Sequence, residues 1–241
     1  MHKVLSILLA FSFSTALFAD SNHAIFNPLL NKYVDDGFVD YPGFNDAPVF
    51  EQYIQELGQP LETTDRDEQL AFWINAYNAF AIKGILDGRS PSSFFGRIGY
   101  FKNAKYEIGG QTINLYDLER DIIIPFDEPR IHFAINCASV SCPKLQSEVY
   151  IADQLETQLE ESTVIFINDE TRNKFDTDKK VAHISKIFDW FEKDFVKHSG
   201  SVQKYIAQYV DDPIIAEDLN NEEYKIVYLD YDWNLNGKPV K

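Results

Sequence analysis

A histidine and two cysteines, residue types suited to nucleophilic or redox chemistry, fall within Arg130-Ile131-His132-Phe133-Ala134-Ile135-Asn136-Cys137-Ala138-Ser139-Val140-Ser141-Cys142-Pro143. Cys137 and Cys142 are both of the protein's cysteines. A thiolate near an imidazole can attack a carbonyl carbon or the sulfur of a disulfide. The segment therefore predicts covalent catalysis or thiol exchange. No other stretch gathers as much chemistry.

Several elements must position these groups. Arg130 to Ile135 is apolar and β-branched and predicts a buried strand, and the small polar residues and proline after it predict a loop at the strand tip. Upstream, Asn114 to Ile123 reads as a short helix stopped before Pro125, with Glu119 projecting from it. The clearest helix runs from Thr64 or Asp65 to Leu86. It has an N-cap, Asp67 and Glu68 at the positive end of the dipole, and Asp87-Gly88 as its stop. Leu70 to Ile82 is apolar nearly all round, so this helix is buried on most sides. Asn75 and Asn78 lie three apart on one face. Buried amides need partners, so these two brace a neighbouring loop or line a site. Further helices are predicted over His23 to Val34, Val49 to Leu57, Tyr150 to Phe166, after Ser185 and over Val202 to Tyr209. Strands are predicted at Tyr106 to Ile113, as a hairpin turning at Gly109-Gly110, at Lys179 to Ile184 and at Tyr224 to Leu229. Ser90 to Asn103 reads as a loop and part of a cleft wall. Helices and strands mix without strict alternation, which predicts an α+β domain with helices around a small mixed or antiparallel sheet and one central buried helix.

Met1-His2-Lys3, the apolar run Val4 to Phe18 and Ala19 have the pattern of a cleaved secretory signal, so residues 1–19 are expected to be removed and 20–241 to form one domain. The expected product is periplasmic or secreted, without stable membrane insertion. Removal of Lys3 moves the formal charge from −16 to −17, which argues against nucleic acid as a partner. Two cysteines are too few for a disulfide scaffold.

The chain resembles a family of unknown function numbered 547. The resemblance rests on Phe72-Trp73-Ile74-Asn75-Ala76-Tyr77-Asn78-Ala79, Leu115 to Arg120 with Glu119, Arg130 to Pro143, Ser185-Lys186-Ile187-Phe188-Asp189-Trp190-Phe191 and Tyr231-Asp232-Trp233-Asn234-Leu235-Asn236. It implies a domain of exported bacterial proteins and of plant and animal chains, with a His, Cys and Glu constellation similar to a cysteine-hydrolase or thiol site.

Four readings of the site follow. In the first, Cys137 is the nucleophile, His132 its base or ion-pair partner and Glu119 the group orienting the imidazole, giving a hydrolase or acyl transferase for small peptide or amide substrates. A straight strand would separate His132 and Cys137 by about 16 Å on opposite faces, so this reading requires a bend at Ile135-Asn136. His183 is the fallback base. In the second, Cys137 and Cys142 form a structural disulfide and His132 is a core residue. Third, His132, Cys137 and Cys142 could bind zinc, but their spacing matches no common pattern, and neither a metal nor another cofactor is called for. In the fourth, Asn75, Asn78, Arg130 and the Phe94 to Phe101 aromatics bind a peptide or small thiol such as glutathione, with cysteine reactivity incidental. The hydrolase or acyl transferase is the leading expectation, and a thiol-binding or thiol-disulfide exchange protein the alternative. Ser139 and Ser141 lack an elbow motif.

Overall fold

The computed structural model describes residues 23–240; the expected signal segment lies outside them. Its organising element is the helix Arg66–Leu86, buried without a break from Leu70 to Ile82. The Asp65 carboxylate caps it, accepting from the backbone N–H groups of Asp67 (2.9 Å) and Glu68 (3.0 Å). Against this helix pack Pro48–Leu57 and the helical run from Leu115 to Phe126. The hairpin of Tyr106–Ile108 and Gln111–Ile113 turns at Gly109 and Gly110, whose φ values of 60° and 80° suit a two-residue turn. A Cβ on Gly109 would lie 2.5 Å from the Trp73 ring, so the hairpin closes directly over the central helix.

The class is α+β, with the strands divided among three small sheets. Besides the hairpin, Val34–Asp35, Phe38–Asp40 and Gly237–Lys238 form one sheet, and Lys174–Asp176, Val181–Ile184 and Lys225–Tyr228 form another. The buried apolar residues form two clusters. One surrounds the central helix, and the other is built by the C-terminal third around Phe166, Phe188, Phe195 and Tyr205.

The segment expected to be a strand lies at the seam between these clusters and is instead a 3-10 helix, Pro129–Phe133, ending in a turn. Pro129 has the fixed φ of a first helical residue, and the Glu128 carboxylate accepts from the Arg130 N–H (3.1 Å). Ile131, Ala134 and Ile135 enter the first cluster while Phe133 enters the second. Burial on two sides makes the run apolar throughout, and such a run does not distinguish a strand from a buried helical turn.

Three other segments differ from expectation. Ser90 to Asn103 contains a helical turn at Phe94–Arg97 that continues as a wide π-helical turn, Ile98–Asn103. A second wide turn, Leu118–Ile123, interrupts the run that carries Glu119. Pro213–Asn220 is an additional helix, capped by Asp212. Among the described residues no helix is long and apolar enough to cross a membrane.

Candidate functional site

A cavity of about 430 Å³ opens at the seam, and Glu119, His132, Cys137 and Cys142 all line it. The sequence-predicted nucleophile, base and acid thus share one space. Cys137 and Cys142 are joined in a disulfide, with their Cα atoms 6.0 Å apart. In this state neither sulfur is a thiolate, so the Cys137 nucleophile of the first reading requires reduction.

The disulfide loop is held by much more than its S–S bond. Asn136 accepts from the Ala138 N–H (2.8 Å) and donates to the Pro143 carbonyl (2.7 Å), tying both ends of the loop. Asn78 in turn holds Asn136: its Oδ1 accepts from the Asn136 N–H (2.7 Å) while its Nδ2 donates to the Ala134 carbonyl (3.0 Å). The Arg172 guanidinium donates to the carbonyls of Val140 (3.0 Å) and Cys142 (2.8 Å). The C-terminal segment straps the outside, with the Val140 N–H donating to the Asn234 carbonyl (2.9 Å) and the Ser141 N–H to that of Asp232 (3.2 Å). This bracing holds Ala138 at φ 61°, a left-handed conformation that an alanine adopts only at a cost.

The two sulfurs differ. Cys137 is half-buried at the cavity, while Cys142 is 2 % exposed. The Cys142 Sγ accepts from the Cys137 N–H (2.8 Å) and from the Tyr231 hydroxyl (3.2 Å). Cys137 Sγ lies 3.1 Å from both the Ser139 and Tyr231 hydroxyls. A disulfide sulfur carries no hydrogen, so these hydroxyls are the donors.

His132 is buried, stacked on Phe191 at 3.9 Å, with its Nε2 2.9 Å from the Asp194 carboxylate. Burial lowers its pKa, and the Asp194 bond opposes that shift. The neutral ring donates Nε2–H to Asp194, which leaves Nδ1 as a lone pair with no partner among the described residues. Asp194, not Glu119, therefore orients the imidazole. Glu119 makes no hydrogen bond to it, and burial pushes the Glu119 carboxyl up to about 7, with Arg120 opposing and Asp194 adding to the shift. The chain turns earlier than the expected bend at Ile135-Asn136: the 3-10 helix ends at Phe133, and the Ala134 and Ile135 N–H groups donate to the Ile131 carbonyl (3.0 and 3.2 Å). No hydrogen bond joins His132 to Cys137.

The residues expected to bind substrate lie elsewhere. Asn75 exchanges hydrogen bonds with the Tyr150 backbone (2.7 and 2.9 Å), and both it and Asn78 act as braces. Arg130 faces away from the cavity, paired with Glu128 and Glu156 at 2.7 Å each and with Glu160 at 3.4 Å. The fallback base His183 lies in the strand Val181–Ile184 and does not line the cavity. The expected cleft wall is present, with Phe94, Arg97, Ile98 and Phe101 all lining it. Asp194, Tyr231 and Asn136 belong to the site through the fold, with no local motif that marks their roles. Among the described residues no group of three or more His, Cys, Asp or Glu side chains could hold a metal ion.

Neither a curated protein nor a solved structure matches the chain. A family model described as a protein of unknown function, DUF547, matches residues 61–167. That span includes the central helix, Glu119, His132 and both cysteines, whereas Asp194, Trp190 and Tyr231 lie beyond it. The likeness to the DUF547 family thus rests on residues 61–167, less than half of the chain.

Proposed function

We propose that the cleft is a thiol-disulfide exchange site of an exported protein, in which Cys137 is the sulfur that meets an incoming thiolate. The observation that carries this reading is the asymmetry of the disulfide. Both sulfurs line the cavity and share the Tyr231 hydroxyl, but Cys137 is the more exposed, while Cys142 is 2 % exposed and alone accepts from a backbone N–H, that of Cys137, a donor suited to a departing negative charge. An incoming RS⁻ forms an S–S bond to Cys137 as the Cys137–Cys142 bond breaks, and the electron pair leaves on Cys142. The Cys137 N–H and the Tyr231 O–H stabilise that thiolate through charge-assisted hydrogen bonds. A second RS⁻ attacks the sulfur of the bound thiol, releases RSSR and leaves both cysteines reduced. Because the loop is braced independently of the S–S bond, the site keeps its shape through this cycle. In the alternative of a purely structural disulfide, such bracing would be redundant.

One observation favours a second reading for the reduced protein, a hydrolase or acyl transferase acting on small peptide or amide substrates. The Nδ1 of His132 keeps a lone pair with no partner among the described residues, and Glu119 titrates near neutrality in the same cavity. Equilibration of the folded protein in glutathione redox buffers, with alkylation and mass analysis of the reduced fraction, tests the exchange reading. The expected potential lies between about −270 and −180 mV, the range of exchange catalysts, whereas a value below about −300 mV would assign the disulfide to structure.

A further inference from the structure

The chain carries a formal charge of −16, and its general field repels anions. The rim of the cavity has the opposite character. Arg97, Lys102 and Arg120 line it, and none holds a carboxylate in an ion pair among the described residues, whereas Lys83, Arg130, Arg172 and Lys180 each do. Their cationic heads lie over aromatic rings instead. The Arg97 guanidinium is 4.7 Å from the Trp233 ring centroid and donates to the Pro91 carbonyl (3.3 Å), and the Lys102 ammonium is 4.1 Å from Tyr116. Arg120 reaches Tyr116 at 5.1 Å and Phe191 at 5.4 Å. A ring holds a cation in place without neutralising it, so the charge stays available to a ligand. Glu119 is the one acid among the described residues that lines this space, held towards its neutral form by burial, and Asp194 behind His132 is engaged by that ring. Between the cations the wall is apolar: Trp190 stacks on Trp233 at 5.7 Å and Phe101 meets Trp233 edge-on at 6.2 Å. Unpaired cations on an acidic protein, placed on rings beside a disulfide, describe the complement of a particular ligand.

We infer that the cleft selects a small thiol or disulfide that carries a carboxylate beside an apolar portion, held by Arg97, Lys102 and Arg120 over the Trp233 and Tyr116 rings. The inference deepens the exchange reading and rests on it only for the sulfur; the preference for an anion rests on the rim. Bound this way, the carboxylate is anchored at the rim and the sulfur is directed towards Cys137, so the charge governs how often a thiolate reaches the disulfide.

The test compares three thiols on the folded, oxidised protein, with rates of disulfide opening expressed per thiolate: 3-mercaptopropionate, neutral 2-mercaptoethanol and cationic cysteamine. Mercaptopropionate should exceed cysteamine by about tenfold at low salt, and the preference should shrink as salt rises through the screening range. The Arg97→Gln/Lys102→Gln/Arg120→Gln protein should reverse the order, since only the global negative field remains. A second readout needs no sulfur chemistry: 3-phenylpropionate should quench tryptophan fluorescence saturably, and 3-phenylpropylamine should not. Cysteamine as fast as mercaptopropionate in the wild type, with no phenylpropionate binding, would overturn the inference while leaving exchange intact. Phenylpropionate binding with no thiol able to open the disulfide would keep the anion site and remove the exchange reading.

Discussion

At the scale of single residues, the site depends on which group holds which. Asn136 and Asn78 spend their amides on backbone, so they fix the loop and leave contact with a ligand to others. Asp194 and Tyr231 approach His132 and the sulfurs from 62 and 94 residues away, and no local pattern in the sequence could join them. Glu119 gives a pH signature. Its pKa in the fold, about 7, lies above the ordinary 4.5, so between these values the folded chain binds more protons than the unfolded one. Glu119 thus contributes stability that is fully present below about pH 4.5 and is lost as pH rises through 7. The Glu119→Gln protein should be more stable than wild type at pH 8, by on the order of 2 kcal/mol, and flatter across that window. Denaturant titrations at pH 4.5, 6 and 8 measure both; an unchanged slope would show that Glu119 ionises freely.

At the scale of elements, the central helix was fully legible in the sequence. An Asp cap, acids in the first turn, an Asp-Gly stop and a long apolar middle all agree, and Arg66–Leu86 is where they point. The prediction belonging to this scale is that Trp73→Ala, which empties the space under Gly109, costs about 3–5 kcal/mol in urea unfolding. A loss below about 1 kcal/mol would make the helix peripheral. The site's own elements were less legible, for separate reasons. The Pro129–Phe133 turn is apolar because it fills a seam, and an apolar run of that length fits either backbone period. The two wide turns, Ile98–Asn103 and Leu118–Ile123, have no sequence signature, yet they deliver Phe101, Lys102, Glu119 and Arg120 to the cavity. Such turns recur at functional sites because the extra residue re-aims the side chains that follow. Tyr231 to Asn236 has no local signature beyond its likeness to the family; its role as a strap depends on contacts with Ala138, Val140 and Ser141 that only the fold creates.

At the scale of the whole molecule, two apolar cores meet along one seam, and the chemistry lies where they meet. The sequence located that chemistry, since the segment richest in reactive residue types is the one that crosses between the cores. The overall acidity was legible too, but not the basic rim, because Arg97, Lys102 and Arg120 come from separate turns and are outnumbered by acids along the chain. The central claim is that the folded protein presents Cys137 to an attacking thiolate and releases Cys142. The direct measurement is brief exposure of the folded wild-type protein to 3-mercaptopropionate, an acid quench, alkylation and peptide mass analysis. The adduct is predicted on Cys137 with the alkyl group on Cys142. An adduct on Cys142, or no adduct until denaturant unfolds the chain, would contradict the account.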